Sequence, residues 1–127
     1  MKTALLIVDT HAALWFLEGD SRLSATARVL IEDDGIERRL SAASVWEVAI
    51  KRRLGKLEAP ADFHVRLGMQ GVRGLPITDA HAVRIADLPM HHRDPFDRIL
   101  VAQAQAEGMS ILSVDRRLHA YGVPVLW

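Results

Sequence analysis

The sequence predicts an α/β fold, with a mainly parallel central sheet flanked by helices. Residues 4–8 form an uninterrupted apolar run, which is typical of a parallel strand buried on both faces. Strand-like and helix-like segments then alternate along the chain, as they do in α/β proteins. The chain has 127 residues, half of them hydrophobic and a quarter charged, which is ordinary globular composition. We therefore expect a single folded domain over residues 1–127.

The first half of the chain is predicted to contain two strands and three helices. The apolar segments and turn residues place them, in order, at strand 4–8, helix 10–17, helix 24–34 (ended by Gly35), strand 36–41 and helix 44–54. In the last of these, Trp46, Ile50 and Leu54 share one helical stripe with Leu57. All three tryptophans lie on apolar segments and are expected in the core, where large aromatic residues usually pack.

The second half is predicted to hold three more helices and two strands. The proposed order is helix 60–68, helix 78–88, a helix beginning at Pro95 and ending before Gly108, strand 110–114, a helical turn at 115–119 and strand 123–126. The helix at Pro95 has the strongest signals, because Asp94 is a good N-cap and proline is favoured at the first helical position. Pro124 restricts the last strand to an edge or to pairing after its first residues.

Charge and composition exclude several classes of protein. The 16 basic and 16 acidic side chains cancel, so no overall field draws the protein to nucleic acid, and such binding must be local. The chain has no cysteine, which rules out disulfides and thiolate metal sites and makes a cytoplasmic location the default expectation. No apolar run approaches the roughly 20 residues of a membrane span. The six histidines form no metal motif and are expected at the surface or in the core. His11 is the one candidate for a role in a site, because it lies beside Asp9.

Four acids are placed where they can meet. Asp9 follows the first strand, Glu47 lies at the start of the helix after the second, and Asp115 follows the strand 110–114. The carboxyl ends of parallel strands share one edge of the sheet, where α/β proteins place their sites. Asp97 lies in the first turn of the preceding helix, and the pattern alone does not fix which edge it faces. Carboxylates brought together repel one another, and a divalent cation with oxygen ligands, Mg²⁺ or Mn²⁺, relieves this repulsion.

The same acids also fit helix capping. Asp9 and Asp115 are suitable N-caps, and Asp94 and Asp97 suit a cap and a first-turn acid. The stretch 44–47 reads S-x-x-E, the pattern of a capping box. From spacing alone, a metal site and a set of helix caps both remain open.

Four stretches of the chain resemble the motifs of PIN-domain ribonucleases of the VapC kind, the toxins of bacterial toxin–antitoxin pairs. They are residues 6–12 (LIVDTHA), 41–51 (SAASVWEVAIK), 92–98 (HRDPFDR), and 113–115 (SVD) with 121–125 (YGVPV). The motifs occur in the family's order and the resemblance extends from residue 5 to residue 127. It implies the three-layer PIN-like fold.

The resemblance also implies a site and a reaction. Asp9 and Asp97 would be the central ligands of Mg²⁺ or Mn²⁺, with Glu47 and Asp115 completing the acidic cluster and Asp94 remaining a helix cap. The implied activity is metal-assisted hydrolysis of RNA phosphodiester bonds, with Glu47 or Asp115 orienting the attacking water.

Further residues are assigned by their proximity to these motifs. We expect the hydroxyls of Thr10 and Ser113 to hold the carboxylates, and Arg93, Arg98 or Arg116 to hold the RNA backbone.

The family resemblance implies two protein partners, a cognate antitoxin that covers the acidic groove and a second copy in a homodimer. Two other functions fit the sequence less well. A PIN-like module that binds RNA or protein without cutting would be favoured if one of the four acids were missing, and all four are present. A phosphotransferase of the haloacid dehalogenase sort would carry an acid two residues after its nucleophilic aspartate, where this chain has His11.

Overall fold

The computed structural model describes residues 4–127, so the first three residues of the expected domain lie outside it. Five strands form one sheet in the order β3-β2-β1-β4-β5. Their bounds are β1 Ala4–Val8, β2 Ile36–Ser41, β3 Arg73–Leu75, β4 Ser110–Leu112 and β5 Val125–Leu126. Every pairing between these strands is parallel, which confirms the predicted sheet.

Helices cover both faces of the sheet and make a three-layer structure. They are α1 Thr10–Glu18, α2 Ala25–Glu32, α3 Ala42–Arg53, α4 Phe63–Met69, α5 Asp79–Arg84 and α6 Pro95–Glu107, with short 3₁₀ helices at Ile85–Asp87 and Arg116–Tyr121. Within residues 4–127, none of them has the length and apolar character that crossing a membrane requires.

Alternation along β1 divides the core into two halves. Leu6 and Val8 pack on the side of α1, α2 and α4, whereas Ile7 packs with α6 on the opposite side. The central strand is therefore apolar at consecutive positions because it is covered on both faces, as the opening run of the sequence predicted.

The carboxyl ends of β1, β2 and β4 lie along one edge of the sheet. The backbone N–H of Asp9, just after β1, donates to the carbonyl of Leu112 at the end of β4. Ser41, the last residue of β2, caps α3 by accepting from the backbone N–H of Ala43 at 3.0 Å. This geometry brings the residues that follow these three strands to the same place.

Several element boundaries differ from the sequence prediction. Strand β3 was not predicted, and helix 78–88 is divided into α5 and a 3₁₀ turn. Strand 110–114 ends at Leu112, and the last strand contains only the two residues after Pro124. Helix 24–34 already ends at Glu32, before Gly35.

Helix α3 faces the core with a different side from the one its apolar stripe suggests. Its buried residues are Ala43, Ser44, Glu47 and Val48. Trp46 is 58% exposed, so placing it in the core was wrong, whereas Trp15 and Trp127 are partly buried. The capping-box interpretation of residues 44–47 is also wrong, because α3 begins at Ala42 and Ser44 lies within it.

Candidate active site

The four predicted acids lie at the carboxyl edge of the sheet. Asp9 and Glu47 are buried, at 7% and 5% exposure, and the side chains of Asp97 and Asp115 are about a quarter exposed, at 26% and 23%. The charges of Asp9 and Glu47 both act on Asp97, and one histidine contacts Asp97 and Asp115 together. The strand-end acids and the acid of α6 therefore share one site.

Asp9 is both a helix cap and part of this cluster. Its carboxylate accepts from the backbone N–H of Ala12 at 2.8 Å and is also hydrogen-bonded by the hydroxyl of Ser113. Burial raises the pKa of Asp9 above its ordinary value, and these two hydrogen bonds act in the opposite direction. Ser113 in turn accepts from the backbone N–H of Asp115 at 3.1 Å, so it links two of the acids.

Glu47 is held by two donors on opposite sides. Thr10 Oγ1 donates to Glu47 Oε1 at 2.7 Å, and Lys51 Nζ lies 2.6 Å from Glu47 Oε2. Thr10 Oγ1 also lies 2.9 Å from the hydroxyl of Ser44, which explains why the inward side of α3 is polar here. The expected contacts of Thr10 and Ser113 with carboxylates are thus present. The pKa of Lys51 is raised, mainly by its hydrogen bond to Glu47.

Asp97 carries the strongest sign of crowding in the cluster. Burial, followed by the negative charge of Asp94, raises the pKa of Asp97 to about 7, and Asp9 and Glu47 act in the same direction. His92 partly opposes them. This carboxyl therefore holds its proton to a much higher pH than an ordinary aspartate does, and a cation placed among the acids would favour release of the proton.

His92 joins Asp97 and Asp115, a role that the sequence did not reveal. Its Nε2 lies 2.8 Å from Asp115 Oδ2 and 3.2 Å from Asp97 Oδ2, and its Nδ1 accepts from the backbone N–H of Asp94 at 3.0 Å. Because a backbone N–H can only donate, the proton of the neutral ring lies on Nε2 and points at the two carboxylates. His11, the histidine singled out from the sequence, is exposed and packs against Trp15.

Asp115 is surrounded by donors. Its Oδ1 accepts from the backbone N–H and from Nε of Arg117, both at 3.0 Å, and its Oδ2 accepts from Arg117 Nη2 and from His92. These hydrogen bonds, first of all that of the Arg117 side chain, hold the pKa of Asp115 well below its ordinary value. Four donors thus occupy the roughly four lone-pair positions of this carboxylate.

The remaining residues assigned from the sequence divide into two groups. Asp94 is the N-cap of α6, as predicted, since its Oδ1 accepts from the backbone N–H of Phe96 at 2.8 Å. The proposed contact of Arg98 with RNA is wrong, because Arg98 is buried and its guanidinium donates to the carbonyls of Pro89 and Leu88. Arg93 is exposed, and so is Arg116.

The donor set of the site suits a hard divalent cation. One ligand atom each from His92, Asp97 and Asp115 lies within 4.8 Å of the other two, and the charges of Asp9 and Glu47 reach the same place. With its Nε2 proton in place, His92 acts as a donor to the acids and not as a ligand. The atoms left for a cation are carboxylate oxygens, the ligands that Mg²⁺ and Mn²⁺ prefer.

The chain as a whole is similar to known proteins. The family model of the PIN domain matches residues 6–124. Ribonuclease VapC22 of Mycobacterium tuberculosis (strain ATCC 25618 / H37Rv) is 32% identical over 127 residues, covering 98% of this chain and 95% of the relative.

Two solved structures share the fold at low sequence identity. One is VapBC2 from Rickettsia felis bound to a DNA fragment from the promoter, with a TM-score of 0.69 and 8% identity over 96% of this chain and 97% of that chain. The other is Mycobacterium tuberculosis VapC20, described as a sarcin-ricin loop cleaving toxin, with a TM-score of 0.62 and 18% identity over 93% of this chain and 95% of that chain.

Proposed function

The chain belongs to the PIN-domain family, and from that premise we propose that it is a metal-dependent endoribonuclease, the toxin of a toxin–antitoxin pair. The observation that carries this proposal is the meeting of Asp9, Glu47, Asp97 and Asp115 at one edge of the sheet. The relative with 32% identity is named a ribonuclease, and the solved neighbours include a toxin described as cleaving the sarcin-ricin loop. We place the reaction in the cytoplasm, where such a toxin meets RNA.

The cation would be held by Asp9 and Asp97 as central ligands, with Glu47 and Asp115 at the edge of the cluster. When bound, Mg²⁺ or Mn²⁺ lowers the pKa of the attacking water and neutralises charge on the leaving oxygen. The chain's own residues prepare the site: Ser113 and the start of α1 orient Asp9, and a cation held among the acids would favour the ionised form of Asp97.

Glu47 and Asp115 differ in what they can do for the reaction. Thr10 holds one oxygen of Glu47 and Lys51 the other, so this carboxylate is fixed in direction. Lys51 offsets part of the negative charge of the cluster. Asp115 has its lone-pair positions filled by Arg117 and His92, which favours an outer place, where it orients His92.

We also propose an antitoxin and a second copy of this chain as partners. The Rickettsia felis neighbour is a VapBC2 assembly on promoter DNA, and a basic side chain of a cognate antitoxin could pair with the same acids. An exposed apolar stripe, formed by Trp46 and Ile50 of α3 and by its C-cap Leu54, supports the homodimer, because a contiguous patch of large apolar residues is usually covered by a partner. Trp46 extends this stripe by packing edge-on against Phe96, with ring centroids 5.2 Å apart.

The proposal is tested with purified protein and single-stranded RNA and DNA of mixed sequence. We expect RNA to be cut in Mg²⁺ or Mn²⁺, DNA to be spared, and all cutting to stop in excess chelator. Asp9→Asn should abolish cutting and the growth arrest caused by expression without a partner. Asp62→Asn, which alters an exposed acid paired with Arg66, is the matched control and should behave as wild type.

Two results would overturn the proposal. Cutting that continues in chelator would remove the metal from the mechanism. RNA that is bound but never cut by the wild-type protein, at any metal concentration, would make the chain a binding module.

A further inference from the structure

We infer that a basic cleft beside the acidic cluster binds a backbone phosphate of the RNA strand through Arg93 and Arg117. The cleft has a volume of about 460 Å³ and is lined by residues 90–94 and Arg117. This inference rests on the proposed function and adds to it a separate place for the substrate, outside the carboxylates that would hold the cation.

The guanidinium of Arg117 is held in a fixed direction and keeps some of its N–H donors without a partner in the described residues. Its Nε and Nη2 donate to the two oxygens of Asp115 at 3.0 and 2.8 Å, while its side chain is 67% exposed. A guanidinium has five N–H donors, so three remain without a partner among residues 4–127. Such a planar group, already oriented by a carboxylate, matches the geometry of phosphate oxygens and loses less side-chain entropy on binding.

Arg93 supplies the second positive charge of the cleft. Its side chain is exposed and pairs with no carboxylate in the described part of the chain. Asp94 also lines the cleft, but its Oδ1 is engaged by the backbone N–H groups of Phe96 and Asp97 at the start of α6. The lining therefore contains two arginines against one carboxylate that is already hydrogen-bonded.

The local charge matters because the chain as a whole has a formal net charge of zero at pH 7. A protein without a net positive field needs a local group of cations to hold a polyanion. The acidic cluster repels RNA until a cation is present, so it cannot supply that attraction alone. Two arginines in a cleft beside it meet this need.

His92 connects the cleft to the acidic cluster. It lines the cleft, while its Nε2 contacts Asp97 Oδ2 and Asp115 Oδ2 on the other side. An RNA strand with one phosphodiester at the acids would therefore place a neighbouring phosphate in the cleft. Contacts with phosphate fix the register of the strand and carry no base preference.

The inference is tested by fluorescence anisotropy with a labelled single-stranded RNA of mixed sequence in excess chelator, where metal-dependent cutting does not consume the probe. We expect Arg93→Ala and Arg117→Ala each to weaken binding at least five-fold and to reduce the slope of log affinity against log salt by roughly 0.7, the value for one phosphate on a single strand. A DNA strand of the same length should lose affinity equally. Arg66→Ala is the matched control, because Arg66 is exposed and paired with a carboxylate, as Arg117 is, but lies on α4 and outside the cleft lining.

A second comparison separates contact with RNA from an indirect effect of freeing Asp115. Arg117→Ala in an Asp115→Asn background should weaken binding as much as it does in the wild-type background, since the amide has no charge for Arg117 to neutralise. Loss of affinity only when Asp115 is present would overturn the role of Arg117 as a phosphate contact.

The outcomes for the cleft and for the proposed function are distinguishable. If the wild-type protein cuts RNA but Arg93→Ala and Arg117→Ala bind like Arg66→Ala, the cleft is not the phosphate site and the ribonuclease proposal stands. If the wild-type protein neither binds nor cuts RNA, the proposed function fails and the inference fails with it.

Discussion

The backbone N–H of Asp94 donates to Nδ1 of His92 at 3.0 Å, which leaves the ring proton on Nε2, between Asp115 and Asp97. The backbone N–H of His92 itself donates to the Tyr121 hydroxyl at 3.0 Å. Both ring nitrogens and the backbone of His92 are thus held, and the one ring proton lies between two carboxylates that would otherwise repel each other.

The first prediction follows from this arrangement. His92→Phe keeps the ring but removes the donor, so we expect the free energy of unfolding of the metal-free protein to fall by about 1 to 3 kcal/mol. Urea denaturation measures it. His91→Phe is the control, because His91 is exposed and its ring packs against Tyr121, a contact that phenylalanine can keep. Equal stability of the two variants would mean that the His92 contacts contribute nothing.

The place of His92 shows what the sequence could not indicate. The acids at strand ends were predictable, because a buried run followed by an acid marks the edge of a parallel sheet. His92 lies in the irregular segment before α6, and its partner Asp115 is 23 positions away along the chain. A periodic pattern does not predict a contact between residues so far apart, although His92 and Asp94 both belong to the quoted motif 92–98.

Strand β3 was missed for a related reason. Residues 73–75 read Arg-Gly-Leu, without the apolar alternation or β-branched residues that mark a strand. They are extended because they pair with the end of β2, with Gly74 opposite Leu40. The edge of the sheet is therefore defined by its neighbour and not by local preference.

In α3 the pattern predicted a helix correctly but not its orientation. The inward side carries Ser44 and Glu47, which contact Thr10, and the apolar stripe points outward. The apolar side of a helix usually faces the core. In α3 the polar residues that build the site face inward, so this rule gives the wrong orientation.

The second prediction concerns the contact between Thr10 and Glu47. Thr10→Val keeps the shape of the side chain but leaves Glu47 Oε1 without its 2.7 Å donor in a buried position. Hydrogen bonds to charged groups are worth about 1.5 to 3 kcal/mol, so chemical denaturation should show a loss of that size. Thr10→Ser, which retains the hydroxyl, should recover most of the loss. A Thr10→Val protein as stable as wild type would show that Lys51 alone satisfies Glu47.

The third prediction concerns the exposed stripe of α3. Leu54→Arg places a charge on it, and we expect a dimeric wild-type protein to become monomeric by sedimentation analysis, because a buried unpaired charge opposes association. Leu54 is 61% exposed in the single chain, so the monomer should keep its fold. Val83→Arg is the control, since Val83 is 70% exposed on α5, away from the stripe. Dimers that survive Leu54→Arg but not Val83→Arg would move the interface to α5.

The fourth prediction uses the pH dependence of stability. The pKa of Asp97 is raised from 3.8 to about 7 in the folded protein, first of all by burial. Between those values the folded state retains a proton that the unfolded chain has lost. The contribution of Asp97 to stability therefore falls as pH rises from about 4 to about 7 in metal-free buffer, and the penalty is complete only once the pH is well above 7.

Asp97→Asn removes the ionisable carboxyl. It therefore separates two interpretations of Asp97, a member of a crowded acidic cluster and a first-turn acid that serves only the helix dipole. If crowding dominates, the variant should be more stable than wild type at pH 8, by on the order of 1 to 4 kcal/mol, and close to wild type at pH 4. If Asp97 serves only the dipole of α6, the variant should lose about 0.3 to 1 kcal/mol at neutral pH.

Asp79→Asn is the control, because Asp79 is an exposed first-turn acid of α5 and should show only the dipole effect. Mg²⁺ should stabilise wild type more than Asp97→Asn, since a ligand that binds only the folded state adds stability in proportion to its affinity. A variant that is less stable than wild type at pH 8 and responds equally to Mg²⁺ would exclude Asp97 from the metal site.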